Sequence, residues 1–192
     1  MQSHDDHAGV LTLSDEVRHS VEVNSLKCYQ CGKCSAGCPL SSDMDYPPSV
    51  LMRMLQTGRK DLEEKILRSY TIWLCLACEM CIARCPMEID IPKVMDYLRE
   101  RSLKEGKATP RAKDIIAFHK SFLLSIEKTG RLYEIGLIVA YKSKTYHMMQ
   151  DVNLAPGMYV RGKLAILPEI IKGRKNLGEI FRKTLKKKEE SK

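Results

Sequence analysis

The sequence predicts a mainly α-helical protein, and three observations carry that expectation. Apolar residues recur at three- and four-residue spacing in several stretches. The strict apolar–polar alternation that marks strands is almost absent. Proline and glycine fall where helices start and stop. Pro48, after Pro47, opens a stretch in which Val50, Leu51, Met54 and Leu55 share a face up to Gly58. A second short helix is expected over 61–69, through Leu62, Ile66 and Leu67. Beyond Asp90 or Ile91, Pro92 opens a helix to about Lys104, with Val94, Met95 and Leu98 inward and Gly106 as its stop. Thr109-Pro110 repeats the start signal for a helix from 110 to 128. Its inward residues are expected to be Ile115, Ile116, Phe118, Phe122, Leu123 and Ile126, with Gly130 at its end. Further helices are expected over 131–149 and 176–188, while Asn153 to Gly162, with two glycines and Pro156, reads as a loop.

Composition narrows the class. The chain has 192 residues, 44% hydrophobic and 29% charged, ordinary values for a folded domain that buries its own core. The longest purely apolar run, Leu137 to Ala140 (from Ile135 if Gly136 is counted), is far short of the roughly 20 residues a spanning helix needs, so no membrane span is expected. Met1 to Val10 is rich in His and Asp and lacks the apolar core of a secretory signal, which points to the cytoplasm. In that compartment eight cysteines serve metal or redox chemistry rather than disulfides. The net charge of +8 is concentrated at one end: residues 161–192 hold 11 Lys and Arg against 4 Glu. That strip, ending in Lys186-Lys187-Lys188-Glu189-Glu190, reads as a solvated helix end or as a docking surface for an acidic partner. With Phe181 as its sole interleaved aromatic and no binding motif, it is not read as a nucleic-acid surface.

The chemistry lies in an internal repeat. Cys28, Cys31, Cys34, Cys38 and Pro39 recur 47 residues later as Cys75, Cys78, Cys81, Cys85 and Pro86, both copies reading C-x2-C-x2-C-x3-C-P, and no cysteine lies outside them. A cubane [4Fe–4S] cluster needs four converging thiolates. Three cysteines at i, i+3 and i+6 on a tight loop reach three corners of one cube, and in two-cluster ferredoxins the fourth cysteine of such a run ligates the other cluster. The expected sets are therefore Cys28, Cys31, Cys34 and Cys85 on one cluster, and Cys38, Cys75, Cys78 and Cys81 on the other, giving two [4Fe–4S] clusters. Pro39 and Pro86 turn the chain away after the fourth ligand. Gly32 and Gly37 allow close backbone approach in the first motif. The second has no glycine, and its fillers mostly favour helix. Lys27, Lys33 and Arg84 stand beside ligands, where they either offset cluster charge or are plain surface residues. Zinc is the competing metal, but a third cysteine at the same spacing and a trailing Cys-Pro are not features of zinc knuckles.

No catalytic site is expected in the chain itself. It has no G-x-G-x-x-G, no Walker motif and no H-E-x-x-H. His4, His7, His19, His119 and His147 are scattered away from the motifs. Trp73 and Tyr29 are expected to shield the clusters from water.

The two cysteine motifs, the helical spacer with its Pro47-Pro48 start, the Trp73-Leu74-Cys75 entrance and the Ile89-Asp90-Ile91-Pro92 helix start together resemble the α-helical ferredoxin type. Within that type, a chain of this size is similar to the C subunit of heterodisulfide reductase. The likeness covers residues 25–105 well, and 107–192 only in being helical and free of cysteine. It implies a lead-in over 1–25, an α-helical ferredoxin domain over 26–106 and a helical, basic extension over 107–192 for docking. Relatives with a plant-type [2Fe–2S] domain, with adjacent-cysteine repeats or with membrane helices do not match, because this chain has no cysteines left, no Cys-Cys pair and no apolar span. The resemblance implies an electron-transfer subunit of an oxidoreductase acting in a hetero-oligomer. A flavin-containing A subunit would supply electrons and a cysteine-rich B subunit would reduce a disulfide. In methanogens that disulfide joins coenzyme M and coenzyme B, while bacterial relatives serve other disulfides or thiols. The alternative is the relay subunit of another anaerobic dehydrogenase complex, oxidising glycerol 3-phosphate or a 2-hydroxy acid.

Overall fold

A computed structural model describes residues 11–147, 149, 152–162, 167–168 and 171–190. His4 and His7 therefore lie outside the described residues. All regular structure among the described residues is helical. The chain divides into two compact units, Met1–Ala112 and Lys113–Lys192. No described helix is long and apolar enough to cross a membrane.

The first unit is built from α1 (Leu13–Val21), α2 (Lys33–Ala36), α3 (Pro48–Gln56), α4 (Lys60–Arg68), α5 (Thr71–Leu74), α6 (Met80–Ala83) and α7 (Ile91–Lys104). Pro48 and Pro92 sit in the first turns of α3 and α7, where a missing N–H costs nothing, and Gly106 follows α7 with a positive φ of 64°. Leu51, Met52 and Leu55 of α3, Ile66 of α4, Ile72 of α5 and Val94, Met95 and Leu98 of α7 are fully or almost fully buried and form the core. Val50, expected inward, is 44% exposed.

Within the expected lead-in, the described residues include the helix α1. Thr12 and Asp15 form a reciprocal capping box that starts α1, and the Leu13 N–H donates to the buried Glu63 carboxylate at 2.7 Å. Val17 is fully buried, and α1 packs on α7, where Glu16 accepts from Tyr97 at 3.0 Å and pairs with Arg101 at 3.2 Å. The signal was present in Thr-x-x-Asp before an apolar residue.

In the second unit, α8 (Lys113–Thr129) and α9 (Glu134–Thr145) form an antiparallel hairpin. The Tyr133 N–H donates to Ser125 Oγ at 2.9 Å near the turn, and Phe118 meets Tyr141 edge to face at 6.1 Å further along. The buried stripe of α8 is Ala117, Ser121 and Ser125. This corrects the sequence expectation: Phe118 is 43% and Leu123 51% exposed, because the face that meets α9 is the one whose small side chains let two helix backbones approach. Helix α11 (Arg174–Glu190) packs on α8. The expected loop at Asn153 to Gly162 is instead a 3-10 turn, Val152–Leu154, running into α10 (Ala155–Val160). Pro156 stands in the first turn of α10, so it starts a helix there rather than preventing one.

Candidate metal centre

The two cysteine motifs fold into the same backbone shape. Gln30 and Gly32 of the first motif have positive φ (64° and 77°), and so do Ala77 and Glu79, their counterparts 47 residues on (51° and 61°). Each motif then enters a short helix, α2 or α6, that carries its third cysteine, and closes with the fourth cysteine's N–H donating back, Cys38 to Ser35 at 3.2 Å and Cys85 to Ile82 at 2.9 Å. The positive φ values turn each loop between its first three cysteines, so neither motif is a continuous helix. Ala77 and Glu79 adopt a conformation that glycine would adopt more easily, a cost of the kind found at functional loops.

Helices α2 and α6 pack on one another. Gly37 and Arg84 occupy equivalent repeat positions and meet at this contact: a Cβ on Gly37 would run into the Arg84 guanidinium. The Arg84 side chain thus lies against Gly37, across the junction of the two cysteine loops.

Cys34 is buried, Cys31 and Cys78 are exposed, the other five are half-buried, and all eight thiols are free. Cys38, Cys75, Cys78 and Cys81 line one cavity, three from the second motif and one from the first. Met44, Pro48, Ile91, Pro92 and Met95 give it apolar walls, and Glu79 is its charged member. Electrostatics report the same neighbourhood. Burial pushes the Cys81 thiol up to about 11, with the charges of Cys75 and Cys34 adding to the shift. Burial also raises Cys75, where the Ala77 backbone and the Arg99 charge pull the other way and Cys38 adds to the rise. Cys34 is raised by burial, then by Cys28. On the opposite side the Tyr29 hydroxyl is shifted up by desolvation and by the thiolate charges of Cys31, Cys85 and Cys28, which brings Cys85 to the first motif's loop.

A donor set of eight free thiols, four of them lining an apolar-walled cavity, fits iron–sulfur clusters. Trp73, in the helix that delivers Cys75, is buried, and its Nε1–H lacks a protein acceptor among the described residues. Tyr29, by contrast, is 60% exposed and its expected shielding role is not seen.

Three supporting residues were not apparent in the sequence. Gln56, at the end of α3, donates its amide to the carbonyls of Ser25 (3.1 Å) and Cys28 (2.6 Å). Arg99, on α7, donates to the carbonyls of Ile72 and Cys75 and pairs with Asp96 at 2.9 Å. Gln30 donates to Cys28 Sγ at 3.3 Å and to Gln56 Oε1 at 3.2 Å. Gln30 stands opposite Ala77 in the repeat, but most filler positions differ between the two motifs, so nothing in the sequence marked it out.

Residues 24–89 match the family model of the 4Fe–4S dicluster domain. The match takes in both cysteine motifs and the helical stretch between them. The sequence is also similar to the C subunits of heterodisulfide reductases. It is 30% identical over 125 residues to the iron–sulfur C subunit of the CoB–CoM heterodisulfide reductase of Methanopyrus kandleri, covering 65% of this chain and 60% of the relative. It is 31% identical over 99 residues to the second iron–sulfur C subunit of the CoB–CoM heterodisulfide reductase of Methanocaldococcus jannaschii (52% and 49%). It is 32% identical over 91 residues to the C subunit of the H2:CoB–CoM heterodisulfide,ferredoxin reductase of Methanothermobacter marburgensis (47% and 48%). The chain thus spans between about half and three fifths of the length of these relatives. The matched stretch falls wholly within the first unit.

Proposed function

We propose that this chain is the electron-transfer subunit of a cytoplasmic, heterodisulfide reductase-like complex, with two [4Fe–4S] clusters held in crossed fashion. Cys28, Cys31, Cys34 and Cys85 hold the first cluster, and Cys75, Cys78, Cys81 and Cys38 hold the second. The observation that carries the reading is the cavity lined by three cysteines of the second motif and Cys38 of the first. The neighbourhood of Cys85 with Cys28 and Cys31 around Tyr29 supports its mirror image.

When bound, such clusters accept and release single electrons. This chain's residues do the rest. The apolar walls exclude water from the second site, and the fourth cysteines staple the two motifs together. The exposed second cysteine of each loop, Cys31 or Cys78, sits beside an exposed apolar residue, Tyr29 or Leu76 (60% and 67% exposed). Each loop therefore offers a partner-facing tip, one suited to a flavin-containing A subunit and the other to a disulfide-reducing, cysteine-rich B subunit. Residues 26–106 are the cluster-bearing domain in this reading and 107–192 the docking extension, whose exposed Val139 and Ile180 support a covered role (63% and 59% exposed).

The test is strictly anaerobic purification of the chain with whatever binds it. About eight irons per chain, a reduced-state EPR signal, and co-purification with a flavoprotein and a cysteine-rich subunit are the expected result. Zinc in place of iron, or association with quinone-linked membrane proteins alone, would overturn the reading.

A further inference from the structure

The two motifs share a backbone but not a hydrogen-bonding shell: Gln30 donates to Cys28 Sγ at 3.3 Å and the Ile89 N–H to Cys85 Sγ at 3.4 Å, both sulfurs of the first cluster in the proposed ligation. Both entrances are clamped at equivalent carbonyls: Gln56 binds those of Ser25 and Cys28, and Arg99 binds those of Ile72 and Cys75, 47 residues further on. The Arg99 charge is answered by Asp96 at 2.9 Å. At the sulfur itself the match ends. Gln30 Nε2 lies 3.3 Å from Cys28 Sγ, whereas its counterpart Ala77 has only a methyl group.

The orientation of Gln30 is fixed by its neighbours. The Gln56 amide nitrogen faces two carbonyls, so its oxygen must face Gln30, and only the Gln30 nitrogen can donate to that oxygen. The same nitrogen is then the atom presented to Cys28. Both Gln30 and Ala77 have positive φ, so the turn makes the same backbone demand in each motif and only the side chain differs. An N–H donor at a ligand thiolate favours the more negative, reduced state of the group it holds.

We propose that Gln30, oriented by Gln56, sets the reduction potential of the cluster ligated through Cys28 above that of its neighbour. The pair is then uneven, with the downhill direction running from the second motif's site to the first's. This rests on the two-cluster reading above. Gln30 is a positioning and tuning residue, and a potential is the quantity it controls.

The experiment is an anaerobic EPR-monitored redox titration of the full chain, wild type against Gln30→Ala and Gln30→Glu, with iron counted in each. Gln30→Ala copies the second motif's own solution, and Gln30→Glu keeps the size while removing the donor. Both are expected to retain about eight irons. Both are expected to make one couple harder to reduce by roughly threefold to tenfold in its oxidised-to-reduced ratio, tenfold being 59 mV for a one-electron couple. The couple that moves is the one perturbed by Cys31→Ser, and the one perturbed by Cys78→Ser stays in place. Unchanged potentials in iron-replete variants, or movement of the Cys78-linked couple, would overturn the proposal. Fewer than eight irons or a single couple in the wild type defeats the two-cluster reading instead, and is seen before any variant is made.

Discussion

Cys81 lies where burial disfavours an ionised thiol. Burial and the neighbouring Cys75 thiolate hold its pKa near 11, against 9.0 for a free thiol. The folded chain without metal therefore keeps a proton on Cys81 that the unfolded chain gives up sooner. The sign follows: this contribution to stability is fully present below pH 9 and is lost as pH rises towards 11. A urea midpoint measured on the metal-free chain is expected to fall across that window, and a Cys81→Ala variant to lack that fall. Metal loading at neutral pH must remove the same proton, so acid opposes assembly. The cysteines themselves were legible because their spacing is local and doubled. Gln56 and Arg99 were not, since each reaches carbonyls at least 24 residues away that only the folded chain brings near.

At the level of elements, start signals were read more reliably than faces. Pro48 and Pro92 announced α3 and α7 because a proline ring fits the first turn and nowhere else in a helix. The inward face of α8 was misjudged, because hydrophobicity alone does not say which side a close helix partner takes, and Ala117, Ser121 and Ser125 took it. The Thr12 box on α1 was passed over although its residues are adjacent in sequence. Its Asp15 carboxylate accepts from Thr12 and is held below its usual pKa by that hydrogen bond, so its help is present above about pH 4 and fades as pH falls. Removing the cap with Thr12→Ala is expected to lower unfolding stability by about 1 kcal/mol, read by denaturant titration. An unchanged midpoint would mean that Glu63, bonded to the Leu13 N–H, holds α1 without the box.

The molecule as a whole divides its labour between two units. The first buries a continuous core from α1, α3, α4, α5 and α7 and suspends both cysteine loops from it. The second buries few apolar side chains among its described residues, Ala117 and Leu137, and leaves larger ones exposed, such as Val139 and Ile180. In the proposed reading the exchange of fourth cysteines joins the two halves of the repeat, and the electron path depends on it. The most direct measurement is anaerobic EPR of Cys38→Ser beside Cys31→Ser and Cys78→Ser. Crossed ligation predicts that Cys38→Ser disturbs the signal that Cys78→Ser disturbs and spares the one linked to Cys31. If Cys38→Ser instead alters the Cys31-linked signal alone, each motif closes on its own cluster and the fourth cysteines are not exchanged.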